Sequence, residues 1–149
     1  MSEIIKVKDF FISYNIADKE RAVWIAWQLE AAGYTTVIQA WDFGLGQNFV
    51  LAMQKAATEA KRTIAVLSPD YLSSKFTAPE WAAAFVQDPT GERRLLIPVR
   101  VRPVELTGLL SPIIYIDLVA VDEDESILRL LAGISLRRNK PLIKPAFNP

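Results

Sequence analysis

The sequence predicts an α/β domain in which a five-stranded parallel sheet lies between two layers of helices. Three observations carry this expectation. Short apolar runs alternate with amphipathic helical stretches along the chain, the pattern of βαβ units. The 149 residues, 51% of them hydrophobic, suffice for one core and fall short of two ordinary domains. No internal repeat or low-complexity tract interrupts the alternation.

Asp9-Phe10-Phe11-Ile12-Ser13-Tyr14 is an apolar run that turns polar at Ser13 and Asn15, which predicts a buried first strand followed by a loop. From Asp18 to Gly33, residues Ala22, Ile25, Ala26, Leu29 and Ala32 recur on one helical face, and Gly33 supplies a stop. Thr35 to Ala40 reads as the second strand. Asn48 to Lys61 reads as the second helix, with Phe49, Ala52, Met53, Ala56 and Ala60 at helical spacing. A third strand follows at Thr63 to Leu67, a helix near Thr77, and strands at Leu95 to Val101 and Ile113 to Leu118. A last helix is expected from Glu123 to Arg138, facing inward through Ile127, Leu130, Leu131 and Ile134. The result is a flavodoxin-like three-layer α/β/α sandwich with sheet order 2-1-3-4-5. Pro98 cannot donate to a ladder, so an edge position or a bulge is expected there. Asn139 to Pro149, with Pro141, Pro145 and Pro149, reads as a linker after a domain spanning residues 1–138.

Composition removes several chemistries. There is no cysteine and no histidine, so disulfides, thiolate nucleophiles, imidazole bases and the usual zinc ligands are excluded. Seventeen basic and seventeen acidic residues give zero formal charge, which offers no footprint for nucleic acid. No apolar run is long enough to predict a membrane span, and Met1 to Lys6 lacks a signal-peptide core, so a cytoplasmic address is expected.

In open parallel sheets, ligands bind beyond the carboxyl ends of the strands where the strand order reverses, here between the first and third strands. The segments reaching that point are Ser13-Tyr14-Asn15, Ser68-Pro69-Asp70-Tyr71 and Trp41 to Phe49, with Glu80 following on the same rim. Tyr14, Trp41, Phe43, Phe49, Tyr71, Phe76 and Trp81 supply rings that either stack on a flat heterocycle or pack the core. Thr77-Ala78-Pro79-Glu80 matches a capping box, in which Glu80 satisfies free amides at a helix start. The same position suits a carboxylate that faces a cationic transition state. Gly44-Leu45-Gly46 is not a dinucleotide fingerprint, because Gln47-Asn48-Phe49 lacks the third glycine; it reads as a flexible contact loop. Asp122-Glu123-Asp124-Glu125 opposes a helix dipole rather than binding a metal. Val23, Trp24, Trp27 and Ala31 point away from the inferred core face, as a protein interface or a surface covered by another segment would.

Taken in order, these segments resemble the Toll/interleukin-1 receptor (TIR) domain, of bacterial type, from Lys8 to about Arg138. The residues carrying the resemblance are Asp9 to Tyr14, the loop Trp41 to Phe49, and Leu67-Ser68-Pro69-Asp70-Tyr71-Leu72. The match departs at Phe76, where catalytic members often carry tryptophan, at Gly44-Leu45, where an arginine-proline pair is common, and in the final helix, which lacks a phenylalanine-tryptophan pair. The resemblance implies NAD as substrate rather than cofactor, with Glu80 as the catalytic carboxylate that stabilises an oxocarbenium-like ribose when the nicotinamide bond breaks. It implies substrate contacts from Ser13, Tyr14, Asn15, Trp41, Asp42, Phe43, Gly46, Phe49, Ser68, Tyr71 and Phe76. It also implies assembly with other TIR domains, for which Val23, Trp24, Trp27, Ala31, Gly44 and Leu45 are the candidates, in a protein with further domains and a role in defence signalling. The competing expectations are a non-catalytic TIR module that recruits other TIR domains and, on a related fold, a nucleoside deoxyribosyltransferase.

Overall fold

The computed structural model describes residues 8–73 and 87–149. Strand β1 (Lys8–Ser13) leads through a 3-10 turn (Ile16–Asp18) into α1 (Lys19–Ala31). Strand β2 (Thr36–Ile38) runs into the short α2 (Gln39–Asp42), and α3 (Phe49–Glu59) follows a loop. Then come β3 (Ala60–Leu67), α4 (Pro69–Ser73), β4 (Leu96–Arg100), a second 3-10 turn (Gly108–Leu110), β5 (Ile116–Asp117) and α5 (Glu123–Ile134). The strands form one parallel sheet in the order β2-β1-β3-β4-β5, as the sequence predicts. The helix expected near Thr77 lies outside the described residues.

Alternation along the strands separates two cores. Phe10, Ile12, Ile64, Val66, Ile97 and Val99 pack with Ala22, Ile25, Ala26 and Leu29 of α1 and with Leu130 and Ile134 of α5. On the opposite face Phe11 packs against Met53 and Ala56 of α3, and Ala65 and Leu67 pack with Tyr71. Each fully buried large side chain stabilises the fold by about 1.5–3 kcal/mol through removal from water. Gly133 lets α5 lie close to β5, because a Cβ there would come within 2.3 Å of the Ile116 side chain. Arg62 stacks its guanidinium over the Phe10 ring, 4.8 Å from the centroid.

Several expected boundaries move for identifiable reasons. Strand β3 begins at Ala60, three residues before the expected Thr63, because Lys8 of β1 is in register with Ala60. Strand β2 stops at Ile38 instead of Ala40, since the Asp42 carboxylate accepts the Ile38 amide (2.8 Å) and α2 begins at Gln39. Helix α5 ends at Ile134, not Arg138, because Ser135 is extended. The expectation of an edge or bulge at Pro98 is corrected: β4 lies inside the sheet, and Pro98 is in register with Ala65. Alternate residues of a parallel strand bond to opposite neighbours. The Arg100 carbonyl accepts from Leu118 on the β5 side (2.9 Å), so position 98 faces that side too, where the ladder starts only at Val99. The missing N–H therefore interrupts no bond.

The outward stripe on α1 is also corrected. Val23 and Trp24 are half-buried and pack against the main core, and the Trp24 Nε1 donates to Glu123 of α5 (3.0 Å). Trp27, 61% exposed, and Ala31 remain on the surface. Ala32, expected inward, is exposed because the helix has ended at Ala31. Among the described residues no helix is long and apolar enough to cross a membrane.

Candidate functional site

The sheet order places its switch point between β1 and β3, and the chain leaving the carboxyl ends of β1, β2, β3 and β4 forms a rim there. Two kinds of structure share it. The first is an open cleft of about 230 Å³ between the end of β1 and the loop after α2, lined by Tyr14, Ile16, Lys19, Gln39, Phe43, Gln47 and Phe49 among others. Phe43 and Phe49 meet edge to face with centroids 6.2 Å apart, a geometry aromatic quadrupoles favour. Burial raises the Tyr14 hydroxyl above its usual pKa, partly offset by a hydrogen bond with the Ala40 backbone, so its phenol stays neutral at physiological pH. Gly44 and Gln47 shape the loop: the Gln47 Oε1 accepts from the Gly44 amide (2.8 Å), and Gly46 takes φ +84°, which a side chain disfavours.

The second structure is a polar clasp beside the cleft. The Asp18 carboxylate, its side chain 2% exposed, accepts from Arg102 Nε (2.6 Å) and from the Ser68 hydroxyl. Arg102 uses its other arm on Asp70, and the two carboxylates, Asp18 first, hold the guanidinium pKa above its ordinary value. The Ser68 Oγ accepts the Tyr71 amide (3.1 Å), and the Tyr71 hydroxyl donates to Ser13 (3.0 Å). These bonds join the ends of β1 and β3 to the segment just past β4. A buried carboxylate is tolerated only when paired and hydrogen-bonded, and Asp18 is both.

The residues named from the sequence therefore divide. Tyr14, Phe43 and Phe49 line the cleft together with Gly44. Ser13, Ser68 and Tyr71 are buried in the clasp. The Asn15 side chain caps the 3-10 turn by accepting from Ala17 (2.9 Å), and Asp42 caps α2. Trp41 is 46% exposed, and Leu45 projects fully into solvent. Glu80 and Phe76 lie outside the described residues. Sequence reasoning did not name Lys19, Gln39 or Gln47 as cleft residues. Their positions, at the first residue of α1 and on either side of the loop, were the available signal.

A doubly wound sheet with a cleft at its switch point defines a flavodoxin-like α/β domain with a rim site. The chain belongs to the TIR-domain family: the family described as TIR domain matches residues 10–131. Among solved structures it is similar to the TIR domain of the Toll-related receptor TRR-2 from Hydra magnipapillata, at 25% identity and a TM-score of 0.70, over 84% of this chain and 95% of that one. A metazoan TIR-STING receptor from C. gigas, in complex with 2',3'-cGAMP, matches at 27% identity and a TM-score of 0.69. That alignment covers 87% of this chain and 41% of the receptor, so the chain spans about two fifths of its length. The TIR domains of the activated Roq1 resistosome share the fold at 17% identity and a TM-score of 0.69, over 86% of this chain and 99% of theirs. No curated protein sequence matches the chain.

Proposed function

We propose that this TIR domain cleaves the bond between nicotinamide and ribose in NAD, and that assembly with other TIR domains activates it. The single observation that best supports this reading is the cleft at the switch point, where Tyr14, Phe43 and Phe49 offer rings and Gln39, Gln47 and Lys19 offer polar contacts. At about 230 Å³ it is smaller than the ~300–1,000 Å³ of most ligand pockets, which suits the nicotinamide ribose end of a dinucleotide. Glu80 is the proposed catalytic carboxylate, on the strength of the family resemblance. Its segment follows directly in sequence from α4, whose first residues the clasp holds on the rim.

The chemistry needs no histidine. Scission of the glycosidic bond releases nicotinamide as a neutral molecule, its ring nitrogen taking both bonding electrons. The ribose C1' becomes oxocarbenium-like and is stabilised by a nearby carboxylate. Water then adds at C1' and loses a proton, giving ADP-ribose; attack by an adenine nitrogen or another sugar hydroxyl gives a cyclic product instead. The exposed side chains Leu45, Trp41 and Trp27 are the surfaces on which neighbouring TIR domains would close.

Incubation of concentrated protein with NAD is expected to release nicotinamide, and Glu80→Ala to abolish that release. Release that persists in the variant overturns the catalytic assignment. Absence of release from assembled wild-type protein favours a recruiting module. A melting curve separates chemistry from capping, since loss of a cap destabilises by about 0.5–2 kcal/mol.

A further inference from the structure

A formal charge of zero hides a division along the chain. All seventeen acidic residues lie at or before Glu125, whereas the segment 136–149 holds four cations, Arg137, Arg138, Lys140 and Lys144, and no acidic side chain. The dipole of α5 acts within its last turn, which holds no basic residue, and Lys140 and Lys144 lie well beyond it. The tertiary structure enlarges this charge. Arg94, in the turn before β4, donates to the Ser135 carbonyl 41 residues away (3.0 Å), and the Asn139 side chain donates to the Ala132 carbonyl (3.2 Å). These bonds bring the exposed Arg93 and Arg94 to the root of the tail. None of the six cations forms an ion pair among the described residues. The acids of that turn leave the patch basic, since the buried Asp88 carboxylate accepts the Arg93 and Leu95 amides and Glu92 offsets a single charge.

Apolar side chains are interleaved with the cations. Leu142, Ile143 and Phe147 are each more than four-fifths exposed, in a stretch that forms neither helix nor strand. Single exposed apolar residues need no explanation, but three within six positions, flanked by lysines and arginines, form a patch. Its chemistry matches a surface that is anionic outside and apolar just beneath, which is a bilayer of anionic lipids. A nucleic acid would use the charges and leave Leu142 and Ile143 in water.

We infer that residues 136–149, with Arg93 and Arg94, bind an anionic lipid bilayer at its surface. The cations meet the phosphate headgroups, and Leu142, Ile143 and Phe147 reach the acyl boundary. Binding is shallow, because a backbone without internal hydrogen bonds cannot enter hydrocarbon; Pro141 and Pro145, which carry no N–H, lower the cost of the approach. The root of the tail adjoins Arg94, just before β4, at the amino ends of the strands. The rim at their carboxyl ends is therefore left free. The inference depends neither on NAD cleavage nor on self-association.

Flotation of the 149-residue chain with lipid vesicles tests this. Wild type is expected to float with vesicles of equal parts phosphatidylglycerol and phosphatidylcholine at low ionic strength and to be released as salt is added. It should ignore vesicles of phosphatidylcholine alone. Each cation near an anionic surface strengthens binding about fivefold, so Arg137→Gln with Arg138→Gln should weaken it about twentyfold. Ile143→Ser with Phe147→Ser should weaken it about tenfold by removing the apolar contacts. Lys55→Gln, which removes an exposed cation of α3, should leave it unchanged. Thermal melting checks that every variant folds. Failure to float with the anionic vesicles, equal binding to both kinds of vesicle, or full binding by either tail variant overturns the inference. Single-stranded polyuridine that binds as tightly as the anionic vesicles, with the Ile143 and Phe147 substitutions changing neither, identifies a nucleic-acid tail and overturns it as well.

Discussion

The two walls of the rim differ in how they are held. On the side of β1, β3 and β4, hydrogen bonds run in series from Asp70 through Arg102, the buried Asp18 carboxylate and Ser68 to the Tyr71 amide, and the Tyr71 hydroxyl carries the series on to Ser13. On the other side, the loop from Phe43 to Asn48 is pinned by the Gln47–Gly44 bond and the aromatic pair, while Leu45 stands in solvent. The lesson is one of division: one wall is held by hydrogen bonds between distant segments, and the other, with few buried contacts, is held mainly by bonds within its own loop.

The largest effect should come from breaking the wall that joins distant segments. Asp18→Ala leaves Arg102 and Ser68 without their shared partner. Stranding a charge in the interior costs about 3–5 kcal/mol, but Arg102 is 41% exposed and keeps Asp70, so the expected loss is about 1–3 kcal/mol, mainly from the Ser68 hydroxyl left without its acceptor. Leu45→Ser in the loop wall should change stability by no more than about 0.5 kcal/mol. Urea unfolding measures both, and equal midpoints for the two variants would remove the distinction. An effect between those two is expected from Tyr71→Phe, which deletes the hydroxyl bonded to Ser13 and should cost about 1 kcal/mol. If that variant is as stable as wild type, the Tyr71–Ser13 link contributes nothing to the clasp.

The smallest effect is pH dependence, and it falls outside both walls. Asp9 lies below the usual carboxylate value of 3.8, chiefly through the Thr35 amide, and Asp117 does so chiefly through Arg100, bonded at 2.8 Å. A carboxyl whose folded pKa is depressed adds stability above its unfolded value and loses it as pH falls through the folded one. Stability should therefore fall below about pH 4. With no histidine, it should stay flat between about pH 5 and 8. Asp117→Asn should narrow the gap between pH 7 and pH 3. A decline already present between pH 7 and pH 5 would contradict this account.

Much of the architecture was legible because hydrophobic period reports which face of an element is buried. Phe10, Phe11 and Ile12 marked β1, and Ala22, Ile25, Ala26 and Leu29 marked the inner face of α1. The rim was located by topology alone, and Tyr14, Phe43 and Phe49 do line its cleft. Less of the site's partitioning could be read. Ser13, Ser68 and Tyr71 look like ligand-binding groups in a linear sequence, yet their polar atoms bond within the clasp. Ser68's partner Asp18 lies 50 residues before it, Ser13 and Tyr71 are 58 residues apart, and Arg102 lies 84 residues after Asp18.

By itself the sequence determined the fold class, the strand order and the residues at the switch point, because βαβ connections and burial periods leave few alternatives. Only the tertiary structure decided which rim residues frame the site and which line it, and that Trp24 turns toward Glu123 rather than outward. Those outcomes depend on hydrogen bonds and clefts between distant segments. Local periodicity encodes the face a residue occupies but not the partner that waits there.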